Sequence, residues 1–226
     1  MINLFGLIST VTLFKGTEFL KKYSIIGKFP PVLITGIILI IILDSFHIDF
    51  AKYNESARFL TLLLIPATVS LGYPLYKNIH ILVKNKRIIY LAFVFASIIA
   101  MVLTYIFAKL CHTDSNILIS MLPKSVTAPI AVEISKSIGG IPELTACVVV
   151  LTGVCGALLG HKILELIHVK NDIAIGLSMG AASHVIGTSR CIDKGREKQV
   201  VMSTLALVMV GILTAIFAPI FVLMVK

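Results

Sequence analysis

Apolar residues run through this chain in long blocks, cut by short charged or Gly/Pro-containing breaks, at about 2–20, 30–47, 59–77, 88–110, 117–137, 142–166, 173–190 and 199–225. A helix needs roughly 20 apolar residues to cross the hydrocarbon of a bilayer. The blocks approach that length, and none alternates over about ten residues as a barrel strand would. The pattern predicts an all-α, polytopic integral membrane protein with seven or eight transmembrane segments in a single domain, 1–226.

Three blocks are interrupted midway. Block 59–77 contains Pro66, Gly72 and Pro74; block 117–137 contains Pro123, Lys124 and Pro129; block 173–190 contains Gly176, Gly180, His184 and Gly187. Proline removes a helix hydrogen bond and glycine weakens the helix, so the freed backbone groups need buried protein or a water-lined cavity. The prediction is therefore for broken or re-entrant helices. The cores Thr68–Gly72, Ser125–Pro129 and Ser183–Gly187 are offset by 57 and 58 residues, which suggests three related helix pairs. Gly139-Gly140 before Pro142 predicts a tight turn, and Gly153, Gly156 and Gly160 predict a close-packing helix face.

Composition narrows the class. The 226 residues are 58% hydrophobic and 14% charged, with a mean hydropathy of +1.01, which excludes a cytosolic enzyme, a nucleic-acid-binding module and a secreted disulfide scaffold. The +9 net charge concentrates in loops. Lys15, Lys21, Lys22 and Lys28, then Lys77, Lys84, Lys86 and Arg87, then Arg190, Lys194, Arg196 and Lys198 mark cytoplasmic loops. The alternating loops, including Lys162 and Lys170, read as external, and eight crossings put both termini outside. The N-terminus lacks the basic start and small-residue site of a cleaved signal peptide. Cys111, Cys147, Cys155 and Cys191 show neither a CxxC pair nor metal-ligand spacing, so no metal, cofactor or disulfide is expected.

Lys124 lies about seven residues into its block, roughly 10 Å from the helix end. A cation at that depth faces a cavity or a partner; the plainer readings are snorkelling or a pair with Glu133 or Glu143. His184 stands between Ser183 and Gly187-Thr188-Ser189-Arg190. A lone membrane histidine is more often a satisfied core residue, but a glycine break beside it exposes amides whose partial positive charge suits an anion. Lys124, His184 and these amides would make an electropositive pocket for a small carboxylate, with His184 or Glu133 as a proton site. Ser125, Thr127, Thr188, Ser189 and Arg190 complete the candidate binding set. No nucleophile stands with a placed base, so no catalytic residue is assigned and no enzyme is expected.

The runs Leu122-Pro123-Lys124-Ser125-Val126-Thr127-Ala128-Pro129-Ile130-Ala131, Ile138-Gly139-Gly140 and Ser183-His184-Val185-Ile186-Gly187-Thr188-Ser189-Arg190 resemble the signature of the LrgB/CidB family, and the resemblance extends over essentially the whole chain. It implies the bacterial cytoplasmic membrane and two functions. One is modulation of murein hydrolase export and autolysis with a small holin-like partner of the LrgA/CidA type. The other, implied by similarity to the plastid glycolate/glycerate transporter, is movement of pyruvate-, glycolate- or glycerate-like monocarboxylates. The pocket favours the second at this stage, with autolysis as a downstream effect. The expected partners are a small carboxylate, membrane lipid, the holin-like protein and a second copy of the chain, and no nucleic acid.

Overall fold

A computed structural model describes residues 4–20, 29–63, 66, 69–70, 72–77 and 86–225. Lys21, Lys22, Lys28, Lys84 and Thr68 lie outside the described residues, as does part of the 59–77 block. The described residues are mostly helical, with no strand among them. Contacts divide it into two compact units, 1–69 and 70–226.

The first unit contains α1 (Phe5–Leu20), α2 (Pro31–Ser45), α3 (Phe50–Ser56) and α4 (Arg58–Leu62). Pro31 opens α2, where its missing N–H costs nothing. Asp49 caps α3 by accepting from the Ala51 amide at 3.1 Å. Buried polar groups join the helices: Thr17 and Thr35 hydroxyls lie 2.8 Å apart, and the Gly6 amide donates to Ser56 Oγ at 2.9 Å.

The second unit contains α5 (Gly72–Lys77), α6 (Lys86–Leu110), α7 (Ser115–Met121), α8 (Ala128–Ile138), α9 (Pro142–Leu166), α10 (Asp172–Asp193) and α11 (Glu197–Val225). Local chemistry explains the boundaries. Pro129 stands in the first turn of α8, and Gly139 ends that helix in the left-handed conformation, φ 83°. Pro142 and Glu143 open α9, and Asn171 caps α10 through the Ile173 amide. Helices α6 and α9 end alike. His112 and His168 adopt φ 50° and 60°, and the next amides, of Thr113 and Val169, return to the carbonyls of Ala108 and Leu164 at 2.9 Å.

Among the described residues, Arg87–Leu110, Pro142–Leu166 and Glu197–Met224 are long and apolar enough to cross a bilayer. By length and composition these helices support an integral membrane protein. Helices α7 and α8, with 7 and 11 residues, extend only about 10 and 16 Å. The core of the unit gathers Leu122 and Val126, Val149 of α9, and Leu205 and Val210 of α11, with Leu177 and Ala181 of α10 packed against it.

Candidate functional site

Two buried stretches carry the candidate residues. The first is the non-helical connection between α7 and α8, where Leu122, Pro123, Ser125, Val126 and Thr127 are all buried. Lys124 is half-buried there, and its Nζ donates to Thr104 Oγ1 on α6 at 2.7 Å. Neither carboxylate considered from sequence is this partner. Glu133 instead pairs with Lys136 at 2.7 Å, with both side chains largely in the open. Glu133, expected from sequence as a proton site, thus lies outside the buried group around Lys124.

Thr127 precedes α8 in the N-cap position, with an extended backbone and no capping bond from its side chain. Its Oγ1 is buried without a partner. Pro129 has no amide hydrogen, so the exposed donors of this helix start are the amides of Ala128 and Ile130. An orphan hydroxyl, free amides at a positive helix end and a nearby ammonium are the chemistry that holds a small anion.

The second stretch centres on His184 in α10. Its backbone leaves the helical region, with φ 43° and ψ −134°, and its ring is buried. Its Nε2 lies 3.0 Å from the carbonyl oxygen of Val149 on α9. That carbonyl can only accept, so the ring carries its proton on Nε2. Thr188 Oγ1 donates to the His184 carbonyl at 3.1 Å, which satisfies one of the groups the break releases. A Cβ added at Gly187 would overlap the Met179 carbonyl oxygen. In a continuous helix, residues eight apart would be separated by about 12 Å.

The candidate residues thus form two groups. Lys124, Ser125 and Thr127 share one connection, whereas His184 and Thr188 share the other. The groups meet the same apolar core, in which Val126 and Val149 both sit. Ser189 is exposed, and Arg190 lies 3.8 Å from Asp193 at the end of α10. Pro66 is exposed, and Pro74 sits within α5. Gly140 is tight against Ser120, whose Oγ accepts from the Ile141 amide at 2.6 Å.

Two groups were missed. Thr104 gave only a weak signal, a lone hydroxyl in an apolar helix. The other is a chain of buried bonds: His161 Nε2 lies 3.0 Å from Gln199 Oε1, and Gln199 Nε2 donates to Asp172 Oδ1 at 2.7 Å. Because Asp172 only accepts, the amide orientation is fixed and His161 donates through Nε2. Its Nδ1 is buried without a partner. A histidine within the 142–166 block was the available signal. Among the described residues, no cluster of His, Cys, Asp and Glu could hold a metal ion.

Comparison with known proteins supplies the family. The model of the LrgB-like family matches residues 10–224. The antiholin-like protein LrgB of Bacillus mycoides (strain KBAB4) is 34% identical over 98% of this chain and 96% of its own. The antiholin-like protein LrgB of Bacillus subtilis (strain 168) is 34% identical over 96% and 94%. The YxaC protein of the same Bacillus subtilis strain is 34% identical over 90% of both chains. No solved structure matches. With the family match covering nearly the whole chain, this protein belongs to the LrgB-like family.

Proposed function

We propose that this protein is an antiholin-like membrane regulator, acting in the bacterial cytoplasmic membrane to control murein hydrolase export and lysis through a small holin-like partner of the LrgA/CidA type. The observation that carries this reading is the near-full-length similarity to antiholin-like LrgB proteins. The test is expression in a bacterium that lacks its own family member, with and without the holin-like protein. The expected result is a slower rate of detergent-induced autolysis that depends on the partner. An unchanged autolysis rate with both proteins present in the membrane would overturn the reading.

A second reading is favoured by one site. Lys124 is a cation in an apolar unit whose described hydrogen-bond partner is a neutral hydroxyl, and Thr127 offers an unused donor at the start of α8. Such an arrangement suits a small monocarboxylate such as pyruvate, glycolate or glycerate, held between helices broken at 122–127 and at His184 in a fold of seven or eight segments. Lys124 would neutralise the carboxylate, Ser125, Thr127 and Thr188 would bond the 2-oxygen, and His184 would serve as the proton site. Uptake of radiolabelled pyruvate, glycolate and glycerate into liposomes containing only this protein tests it. Saturable uptake that Lys124→Met abolishes is expected. No uptake in sealed, loaded vesicles, or normal uptake by the variant, would remove this reading and leave the partner-dependent one standing.

A further inference from the structure

The packing register of the second unit fixes which way each segment runs. Along α9 and the first half of α10, a Cβ at Gly160 would meet Met179, one at Gly156 would meet Ser183 and one at Gly153 would meet His184. The numbers fall on one helix as they rise on the other, so these two are antiparallel. Along α10 and α11, Gly176 meets Gln199 and Met202, and Gly180 meets Ser203. Here the numbers rise together, so the first half of α10 is parallel to α11.

That parallel register is incompatible with α10 as one straight rod. A straight helix of 22 residues would carry its end about 33 Å away from Asp172, and α11 would then return antiparallel to it. Instead both ends of α10 lie at the same place. Lys194 Nζ donates to Glu165 Oε1 at 3.4 Å just before α10 begins, and Gln199 near the start of α11 bonds Asp172 at the start of α10. Ile175, Met179 and Cys191 share one buried cluster. The chain enters, turns at His184 and comes back.

The α7–α8 segment behaves likewise at the opposite end. A cavity of about 210 Å³ is lined by Lys109 of α6, Ser115 of α7 and Phe221 of α11, and Tyr105 meets Phe221 edge-on. The C-terminal ends of α6 and α11 are thus together, at the end where α9 begins, because α9 is antiparallel to α11. The far end of α8 returns there: Thr145 Oγ1 of α9 bonds the Ser120 carbonyl at 2.8 Å and Ser135 Oγ at 2.7 Å.

We infer that residues 115–139 and 172–193 are two re-entrant hairpins that enter the membrane from opposite faces, so that the second unit is an inverted pair of crossing helix plus hairpin, closed by α11. The matching His112 and His168 turns are the corresponding joints. The tips, Pro123–Thr127 and His184, approach the Val126–Val149 core from the two sides, and each hairpin separates that core from one face. The face holding Arg87, Lys162, Lys170, Lys194, Arg196 and Lys198 is cytoplasmic by its positive charge. The change from the sequence expectation is confined to one loop: Lys162 and Lys170, read there as external, join Lys194 on the cytoplasmic side, while Arg87 and Arg190 to Lys198 keep the side expected. The inference is independent of either functional reading.

Site-directed labelling tests it in the full chain with the exposed Cys111, Cys147 and Cys155 replaced by Ser. Asp114→Cys and Lys136→Cys should react with an impermeant maleimide from the outer side only, and Lys170→Cys and Arg196→Cys from the cytoplasmic side only. The double variant Glu165→Cys/Lys194→Cys, whose native side chains meet at 3.4 Å, should be joined by a flexible bismaleimide that spans the length of the two replaced side chains, since a direct disulfide would demand a closer approach of the backbones. Reaction of residues 114 and 136 from opposite sides, or of 170 and 196 from opposite sides, overturns the inference. Failure of a monodisperse 165/194 variant to cross-link also counts against the second hairpin.

Discussion

Lys124 Nζ donates to Thr104 Oγ1 at 2.7 Å, while the same hydroxyl donates to the Ala100 carbonyl at 2.6 Å. A single neutral side chain therefore relays a half-buried ammonium to the backbone of α6. Thr104→Val should destabilise the protein by about 1–3 kcal/mol, because it leaves the ammonium without this acceptor. The double variant with Lys124→Met should cost less than the sum of the two single changes, since it removes both partners. Thermal unfolding in detergent reads all three, and simple additivity would show that the bond contributes nothing.

Thr127 makes the opposite prediction. Its hydroxyl is buried and unpaired, so Thr127→Val, which keeps the shape and deletes the polar atom, should raise stability by about 1 kcal/mol without ligand. If the connection binds a carboxylate, the same variant should take it up more weakly while melting higher. A lower melting temperature would mean that the hydroxyl has a partner, such as an internal water.

At His184 the backbone strain and the side-chain bond can be separated. The left-handed φ of 43° suits glycine, whereas the ring bonds Val149. Both His184→Gly and His184→Ala lose the ring, but only alanine keeps the strain. The glycine variant should therefore be the more stable of the two, by about 1 kcal/mol. Equal stabilities would show that the turn at this residue is unstrained.

Gly180 lies against the Ser203 backbone, where an added methyl has no room, whereas a Cβ at Gly36 in α2 meets nothing within 4 Å. Gly180→Ala should cost about 1–3 kcal/mol as overpacking, and Gly36→Ala should cost nothing. Similar effects of the two changes on thermal unfolding would deny the close approach of α10 to α11.

The membrane class, the helical content and most breaks between elements were legible in the chain, because hydropathy and the backbone limits of proline and glycine are local properties. Pro142, Gly139 and Pro129 mark helix ends where they stand in the sequence. Lys124 and His184 both fall inside apolar blocks, and the structure half-buries the first and buries the second. Their partners were not legible. Lys124 chose Thr104, twenty residues away, over the nearer Glu133, which faces outward and pairs with Lys136.

By itself, then, the sequence determined that this is a helical membrane protein of the LrgB-like type, with its polar groups gathered at two breaks. Only the tertiary structure decided where those groups point and which way the chain leaves each break. The reason is physical. A break releases backbone groups whatever happens next, but the direction taken afterwards depends on distant surfaces. Here those surfaces are Gly176 and Gly180, which admit α11 alongside the first half of α10, and Gln199, which bonds His161 and Asp172 at the base.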